Sequence, residues 1–176
     1  MIKENKIVNK HFLSSFDISS QEVHNILELA KNFKNKDLNI NREGKVLGLI
    51  FDKSSTRTRV SFQVAMARLG GTTIDLNPTT SQIGRGEPIM DTARVLSRYC
   101  DVLAIRTFKQ SVLEEYAKWA TIPVVNALTD LEHPCQALAD YLTIKEEFGE
   151  LRGKVLTYIG DGNNVANSLI ICGALL

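Results

Sequence analysis

The stretch VLGLIF at residues 46–51, followed directly by DKSSTRTR at residues 52–59, decides the fold of this chain. A continuous apolar run of this length is typical of a strand that is buried on both faces, as in a parallel sheet. The polar residues after it lead into a helical pattern of apolar positions, so a strand, a loop and a helix follow one another. This order is the repeating unit of α/β proteins.

The same unit recurs along the chain. Upstream, Ser19 and Glu22 have the spacing of a capping box, which predicts that a helix starts there. Downstream, apolar runs predict strands at residues 72–76, 102–106, 123–126 and 155–159. Apolar spacing predicts helices at about residues 57–69, 89–98, 112–119 and 134–148. This alternation predicts an α/β fold, with a parallel sheet flanked by helices.

A domain junction is predicted near residue 150. The segment FGELRGK at residues 148–154 is polar and contains two glycines, which suits a linker. One predicted strand and the apolar helix VANSLIICGALL, residues 165–176, follow it. Because one strand and one helix cannot enclose a core, we predict one domain at residues 1–150 and the truncated beginning of a second α/β domain at residues 151–176.

Composition argues against several classes of protein. Lys and Arg number 21 against 20 Asp and Glu, so no general attraction to nucleic acid or to an anionic membrane is expected. The three cysteines, Cys100, Cys135 and Cys172, have no C-x-x-C spacing, which argues against a disulfide framework or a zinc site. No stretch has the length of a membrane span, and the N-terminus lacks the apolar core of a signal peptide. We predict a soluble, cytoplasmic protein.

The residues directly after the strands are the candidates for binding, because ligands of open parallel sheets lie at the carboxyl ends of the strands. After the first strand, the SSTRT sequence at residues 54–58 offers hydroxyl groups, a guanidinium and the free N–H groups of a helix start. These donors suit a phosphate group. The alternative is an ordinary Ser/Thr helix cap with solvated arginines.

Two further places are predicted to face the same edge of the sheet. Arg106 ends a predicted strand, and His133 and Gln136 flank the predicted helix start at Pro134. A solvated strand end for Arg106 and a helix cap for His133 are the alternatives. Cys135 lies in the same segment, but without a partner base it is predicted to pack rather than to act as a nucleophile.

Two glycine-containing segments remain. The loop at residues 77–88 is long and polar, and such loops are often functional, although simple surface variation is the alternative. Gly160 and Gly162 suggest a dinucleotide turn, but the full motif needs a third glycine where Val165 stands. Nucleotide binding is therefore not predicted.

Taken together, these motifs resemble the aspartate and ornithine carbamoyltransferase family. The resemblance rests on STRTR at residues 55–59, SQIGRGEPIMDTARVLSRY at residues 81–99, the arginine at the end of the next strand, and HPCQALADYLTI at residues 133–144. The second and fourth of these segments are most similar to the ornithine-specific branch. The resemblance implies transfer of a carbamoyl group from carbamoyl phosphate to the side-chain amine of L-ornithine, giving L-citrulline and phosphate for arginine biosynthesis.

The resemblance also implies a role for each candidate residue, with no cofactor and no metal. Arg106 bridges the phosphate and the carbonyl oxygen, and His133, together with Thr58, polarises the carbonyl group. Gln136 accepts from the carbamoyl NH₂ group. The catalytic residues are Arg57, Arg106 and His133, and the phosphate is held by Ser55, Thr56, Arg57 and Thr58.

Further expectations concern partners and the second substrate. In the family, the loop after the second strand reaches the site of a neighbouring subunit in a trimer, and Gln82 is the residue that matches this role. Aspartate enzymes have a Lys in this loop, whereas this loop has none. Glu87 is expected to orient an arginine, and Asn167 matches the position that binds the amino-acid part of ornithine.

Some expectations stay open. The family's D-x-x-x-S-M-G and H-C-L-P motifs do not occur in the sequence, so the chain alone is expected to bind carbamoyl phosphate weakly and not to turn it over. The alternatives are a carbamoyltransferase for aspartate, putrescine or acetylornithine, and a non-catalytic carbamoyl-phosphate-binding fragment.

Overall fold

A computed structural model describes residues 11–36, 40–78 and 81–176. Its four strands form one parallel sheet with the order β2-β1-β3-β4. The strands are β1 (Val46–Phe51), β2 (Thr72–Leu76), β3 (Val102–Arg106) and β4 (Val124–Leu128). The helices are α1 (Ser20–Lys34), α2 (Arg57–Arg68), α3 (Ile89–Leu96), α4 (Gln110–Trp119), α5 (Pro134–Phe148) and α6 (Asn164–Leu175). The predicted α/β fold is confirmed.

β1 lies inside the sheet and is buried on both faces, as its continuous apolar sequence predicts. Leu47 and Leu49 point to one face, where they pack against Met66 of α2. Ile50 points to the other face and packs with side chains of α3 and α4. A Cβ atom at Gly48 would lie 2.7 Å from Leu103 Cδ2, so only glycine lets β3 and the segment before it pack this closely.

The helix starts agree with the local signals in the sequence. Ser19 and Glu22 form the predicted capping box at α1, and Pro134 is the first residue of α5. A third apolar cluster joins α1, α5 and α6, with Leu27, Tyr141 and Cys172 among its buried members. In the described parts of the chain, no helix is long and apolar enough to cross a membrane.

The predicted strand at residues 155–159 is wrong. This segment has no regular secondary structure, and Val155 and Ile159 are 91% and 93% exposed. A strand needs a neighbour to pair its N–H and C=O groups, and none of the described residues pairs with this segment. The predicted strand at 123–126 is present as β4, which begins one residue later, at Val124, and extends to Leu128. The domain division at residue 150 stays a prediction.

Candidate anion-binding site

An open pocket of about 1030 Å³ lies at the carboxyl edge of the sheet. The starts of α2 and α5 and the end of β3 surround it. Seven of the residues predicted from the sequence line it together: Ser55, Thr56, Arg57, Thr58, Arg106, His133 and Gln136. Residues that are up to 81 positions apart in the sequence are thus brought to one place by the parallel sheet.

The start of α2 contributes donors rather than a closed cap. Thr56 occupies the N-cap position, but its side chain makes no capping hydrogen bond to the described residues. The first N–H groups of a helix have no acceptor within the helix, and the helix dipole places positive potential there. The structure therefore does not support the interpretation of this segment as an ordinary Ser/Thr cap, and it leaves hydroxyl and N–H donors at the pocket.

Arg106 brings a positive charge to the pocket from the end of β3. Its Nε atom is buried and has no hydrogen-bond partner among the described residues. Burial lowers the pKa of the guanidinium from its usual value, but an arginine remains charged at neutral pH. A buried donor without a partner is costly in an isolated protein, so Arg106 is well suited to donate to a bound oxyanion.

His133 lies beside Arg106 and is only 7% exposed. Burial, reinforced by the positive charge of Arg106, lowers the pKa of His133 to about 4. The imidazole is therefore neutral at pH 7 and carries one N–H donor. Its Nδ1 atom is buried without a partner in the described part of the chain, and the side chain makes no capping hydrogen bond. The helix-cap interpretation is thus wrong for this side chain.

Gln136 and Cys135 occupy the first turn of α5. The Gln136 amide donates from Nε2 to Asp140 Oδ1 at 2.8 Å, which leaves its Oε1 atom as an acceptor. The Cys135 thiol donates to the Asn126 carbonyl at 3.5 Å, and burial raises the pKa of this thiol to about 12. A thiol that stays protonated is a poor nucleophile, which agrees with the packing role predicted for Cys135.

A buried carboxylate that the sequence pattern did not indicate lies next to His133 in the chain. Glu132 is 2% exposed and accepts from Ser14 Oγ at 2.5 Å and from the Ser15 N–H at 3.0 Å. It also accepts from Ser168 Oγ at 3.3 Å, and Ser168 Oγ accepts from the His133 N–H at 2.9 Å. This network joins the N-terminal segment, α6 and the backbone of His133. Its partners are distant in sequence, so no local pattern could have identified it.

Lys53 is a second residue that the sequence did not single out. Its Nζ atom lies 2.5 Å from Asp130 Oδ1 and 4.1 Å from the centroid of the Phe108 ring. These contacts join the loops after β1, β3 and β4, which are the loops that surround the pocket. We infer that Lys53 helps to hold the SSTRT segment in place.

Three sequence-predicted residues lie elsewhere. Gln82 is in a short 3-10 helix, Gln82–Arg85, where it is exposed and does not line this pocket. Asn167 on α6 donates from Nδ2 to the Leu131 carbonyl at 2.9 Å and is likewise absent from the described lining. Glu87 accepts from Thr92 Oγ1 at 2.7 Å. No group of three or more His, Cys, Asp or Glu residues within the described ranges is arranged to hold a metal ion.

Sequence comparison links the pocket to a known family. The family model described as aspartate/ornithine carbamoyltransferase, carbamoyl-P binding domain, matches residues 10–146. The chain is 78% identical over 176 residues to an ornithine carbamoyltransferase of Prochlorococcus marinus strain MIT 9312, covering all of the chain and 57% of that protein. It is 59% identical over 170 residues to the ornithine carbamoyltransferase of Nostoc punctiforme, covering 97% of the chain and 55% of that protein.

Solved structures give the same result. The crystal structure of an ornithine carbamoyltransferase from Gloeobacter violaceus matches with a TM-score of 0.89 and 55% identity, over 97% of this chain and 56% of that one. An aspartate transcarbamoylase from Trypanosoma cruzi in complex with carbamoyl phosphate matches with a TM-score of 0.87 and 34% identity, over 95% and 57%. The chain thus spans between half and two thirds of the length of these relatives.

Proposed function

Because the chain belongs to the aspartate/ornithine carbamoyltransferase family, we propose that it forms the carbamoyl-phosphate-binding part of an enzyme that carbamoylates L-ornithine. The products are L-citrulline and phosphate, and the reaction belongs to arginine biosynthesis. The observation that carries the proposal is the convergence of two helix starts, the Arg106 guanidinium and a neutral imidazole at one pocket.

The phosphate group is assigned to the start of α2. Ser55, Thr56 and Thr58 supply hydroxyl donors, and Arg57 supplies a guanidinium that suits two oxygens of a phosphate. The N–H groups and dipole of the helix start add positive potential at the same position. Every contribution in this part of the pocket favours an anion.

The carbonyl group is assigned to Arg106 and His133, aided by Thr58. When the side-chain amine of ornithine attacks the carbonyl carbon, negative charge develops on the carbonyl oxygen before the bond to the phosphate oxygen breaks. Positioned donors stabilise this charge in the transition state. A neutral His133 can donate to the oxygen, and Arg106 can reach both this oxygen and the phosphate; these two residues and Arg57 are the proposed catalytic residues.

L-Ornithine is proposed as the acceptor on the strength of the relatives. The curated relatives that share 58% to 78% identity are named ornithine carbamoyltransferases, and the loop at residues 77–88 has no Lys. We assign residues 151–176 to the beginning of the ornithine-binding part. Asn167 is the proposed ligand of the amino-acid group, and its neighbour Val165 on α6 lines the pocket.

A homotrimer in the cytoplasm is the proposed state of the protein. Gln82 is exposed and lies outside its own pocket, as is expected of a residue that serves the pocket of another subunit. The cysteines Cys100, Cys135 and Cys172 are all free thiols, which suits a reducing compartment.

Titration of the chain with phosphonoacetamide tests the anion site. In this ligand a CH₂ group replaces the bridging oxygen of carbamoyl phosphate, so it is stable to hydrolysis. Arg57→Ala should weaken binding about tenfold or more, since it removes a charged hydrogen-bond donor. The matched control is Arg68→Ala, which removes an exposed arginine from the other end of α2. If both variants weaken phosphonoacetamide binding equally, the effect comes from the net charge of the chain rather than from a contact with Arg57, and the proposal is contradicted.

Turnover tests the enzyme assignment. The chain can be joined to the part of the Prochlorococcus marinus MIT 9312 relative that lies beyond the matched 57%. The chimera should form citrulline from carbamoyl phosphate and ornithine, and Arg57→Ala should abolish this activity. A preference for aspartate, putrescine or acetylornithine would correct the acceptor. A folded chimera that binds phosphonoacetamide but carbamoylates none of these amines would identify a non-catalytic binding protein.

A further inference from the structure

A carboxylate in an anion pocket needs an explanation. Asp140 lies on α5 and is the one acidic residue among the described residues that line the pocket. It repels an anion that binds nearby. None of the ion pairs between described residues neutralises it. Its contact in the pocket is instead with the Gln136 amide, one helical turn before it.

The hydrogen bond between these two side chains fixes which end of the Gln136 amide is available. Gln136 Nε2 donates to Asp140 Oδ1 at 2.8 Å. An ionised carboxylate can only accept, so it binds the NH₂ end of the amide and leaves the Oε1 end for a ligand. An amide without this partner could present either end, and its NH₂ end would face a carbamoyl NH₂ group donor to donor.

We propose that Asp140 is a positioning residue which, by holding the Gln136 amide, makes the site select a ligand that carries an NH₂ group next to its carbonyl. This inference rests on the proposed function and adds a cause of its selectivity. The charge of Asp140 is tolerated because it contacts the amide of Gln136, the residue assigned to the carbamoyl end of the ligand, rather than the phosphate donors at the start of α2.

Two ligands separate this role from simple helix stabilisation. A Gln–Asp pair at this spacing also stabilises a helix slightly, which would not change selectivity. Phosphonoacetamide and acetonylphosphonate differ only in having NH₂ or CH₃ beside the carbonyl. The two carbonyl oxygens also differ as acceptors, but this difference is the same in every variant. The change in the ratio of the two dissociation constants between wild type and variant, measured by NMR titration of the chain, therefore reports the amide contact. Inorganic phosphate reports the anion contact.

The expected result is a loss of selectivity without a loss of anion binding. Asp140→Leu should reduce the preference for phosphonoacetamide about tenfold, because the Gln136 amide can then reverse and lose its hydrogen bond to the ligand's NH₂ group. The affinity for phosphate should stay unchanged or become stronger. Asp140→Asn, whose carbonyl can still accept from Gln136, should restore part of the preference. The matched control is Asn25→Leu, which removes the equivalent Gln21–Asn25 pair on α1, where Gln21 Nε2 donates at 3.1 Å; it should change nothing.

Each other outcome overturns the inference in a distinguishable way. An unchanged ligand ratio in a folded Asp140→Leu chain would show that Asp140 only stabilises α5. If the wild-type chain binds phosphate but does not distinguish the two phosphonates, the proposed contact between Gln136 and the ligand's NH₂ group is wrong, whereas the anion site is retained. Failure of both the wild-type chain and the wild-type chimera to bind any of the three ligands would overturn the proposed function itself, and the inference with it.

Discussion

His133 illustrates how its surroundings set the chemistry of one side chain. Burial, followed by the positive charge of Arg106, lowers the pKa of His133 to about 4. The folded chain therefore binds fewer protons at this residue than the unfolded chain between about pH 4 and the unfolded value near 6.5. NMR titration of the ring should give a midpoint well below 6; a midpoint at or above 6.5 would contradict the proposed neutral donor.

The same shift predicts how stability depends on pH. Because the pKa of His133 is lower in the folded state, the residue does not destabilise the fold above about pH 6.5. As the pH falls from there towards 4, the unfolded chain binds a proton at this residue before the folded chain does, and the free energy of unfolding decreases. Urea unfolding of the wild-type chain and of His133→Gln at pH 7, 5.5 and 4.5 measures this contribution. The difference in unfolding free energy between them should change in favour of the variant at low pH, and a constant difference would speak against a buried neutral imidazole.

At the residue scale, the sequence could predict which side chains line the pocket, but not the residues that hold the surrounding loops in place. Arg106 ends a predicted strand, Arg57 and His133 each follow one, and parallel strands bring such positions to one edge. Glu132 and Lys53 also lie in these loops, but nothing local distinguishes a buried acid or an ion-paired lysine from a solvated one. Their partners are fixed only when the whole chain folds.

At the element scale, predictions that depend on local hydrogen bonds were accurate. The α1 capping box and the proline at the start of α5 involve residues within one turn of each other. The strand predicted at residues 155–159 is absent because a strand needs a neighbouring strand to pair with, which its own sequence does not supply. Its apolar residues, including Val155 and Ile159, remain exposed.

This failure leads to a prediction about the longer relatives. If the apolar pattern at residues 155–159 encodes a strand, the remaining part of a relative should supply its neighbour. Hydrogen exchange of the chain and of the chimera with the Prochlorococcus part compares the two states. Amides at 155–159 should exchange rapidly in the chain and at least tenfold more slowly in the chimera, because pairing protects them.

The control for this experiment is β1. Residues 47–50 are already paired on both sides, with β2 and β3, so their protection should be similar in the chain and in the chimera. Equal and rapid exchange at 155–159 in both proteins would mean that the apolar pattern serves packing rather than a strand.

At the scale of the whole molecule, the order of the sheet explains the position of the pocket. β1 and β3 are adjacent and end together at the pocket, while β2 forms one edge of the sheet. The sequence predicts parallel strands but not their order, because the order depends on which faces of the helices find partners. The order leaves α2, between β1 and the edge strand, with only Met66 buried.

The outward side of α2 is therefore the surface on which we place a subunit contact. Val60 and Val64 lie one turn apart on this helix and are 50% and 41% exposed. Apolar side chains that are adjacent and exposed favour association, and a cyclic trimer would also explain why Gln82 is outside its own pocket.

Val64→Asp should shift the sedimentation of the chain and of the chimera from trimer to monomer. Val95→Asp, at a valine on α3 that is 52% exposed, should leave the trimer intact. A monomeric wild-type chimera, or a trimer that tolerates Asp at position 64, would place the contact elsewhere or remove it, and Gln82 would then need another role.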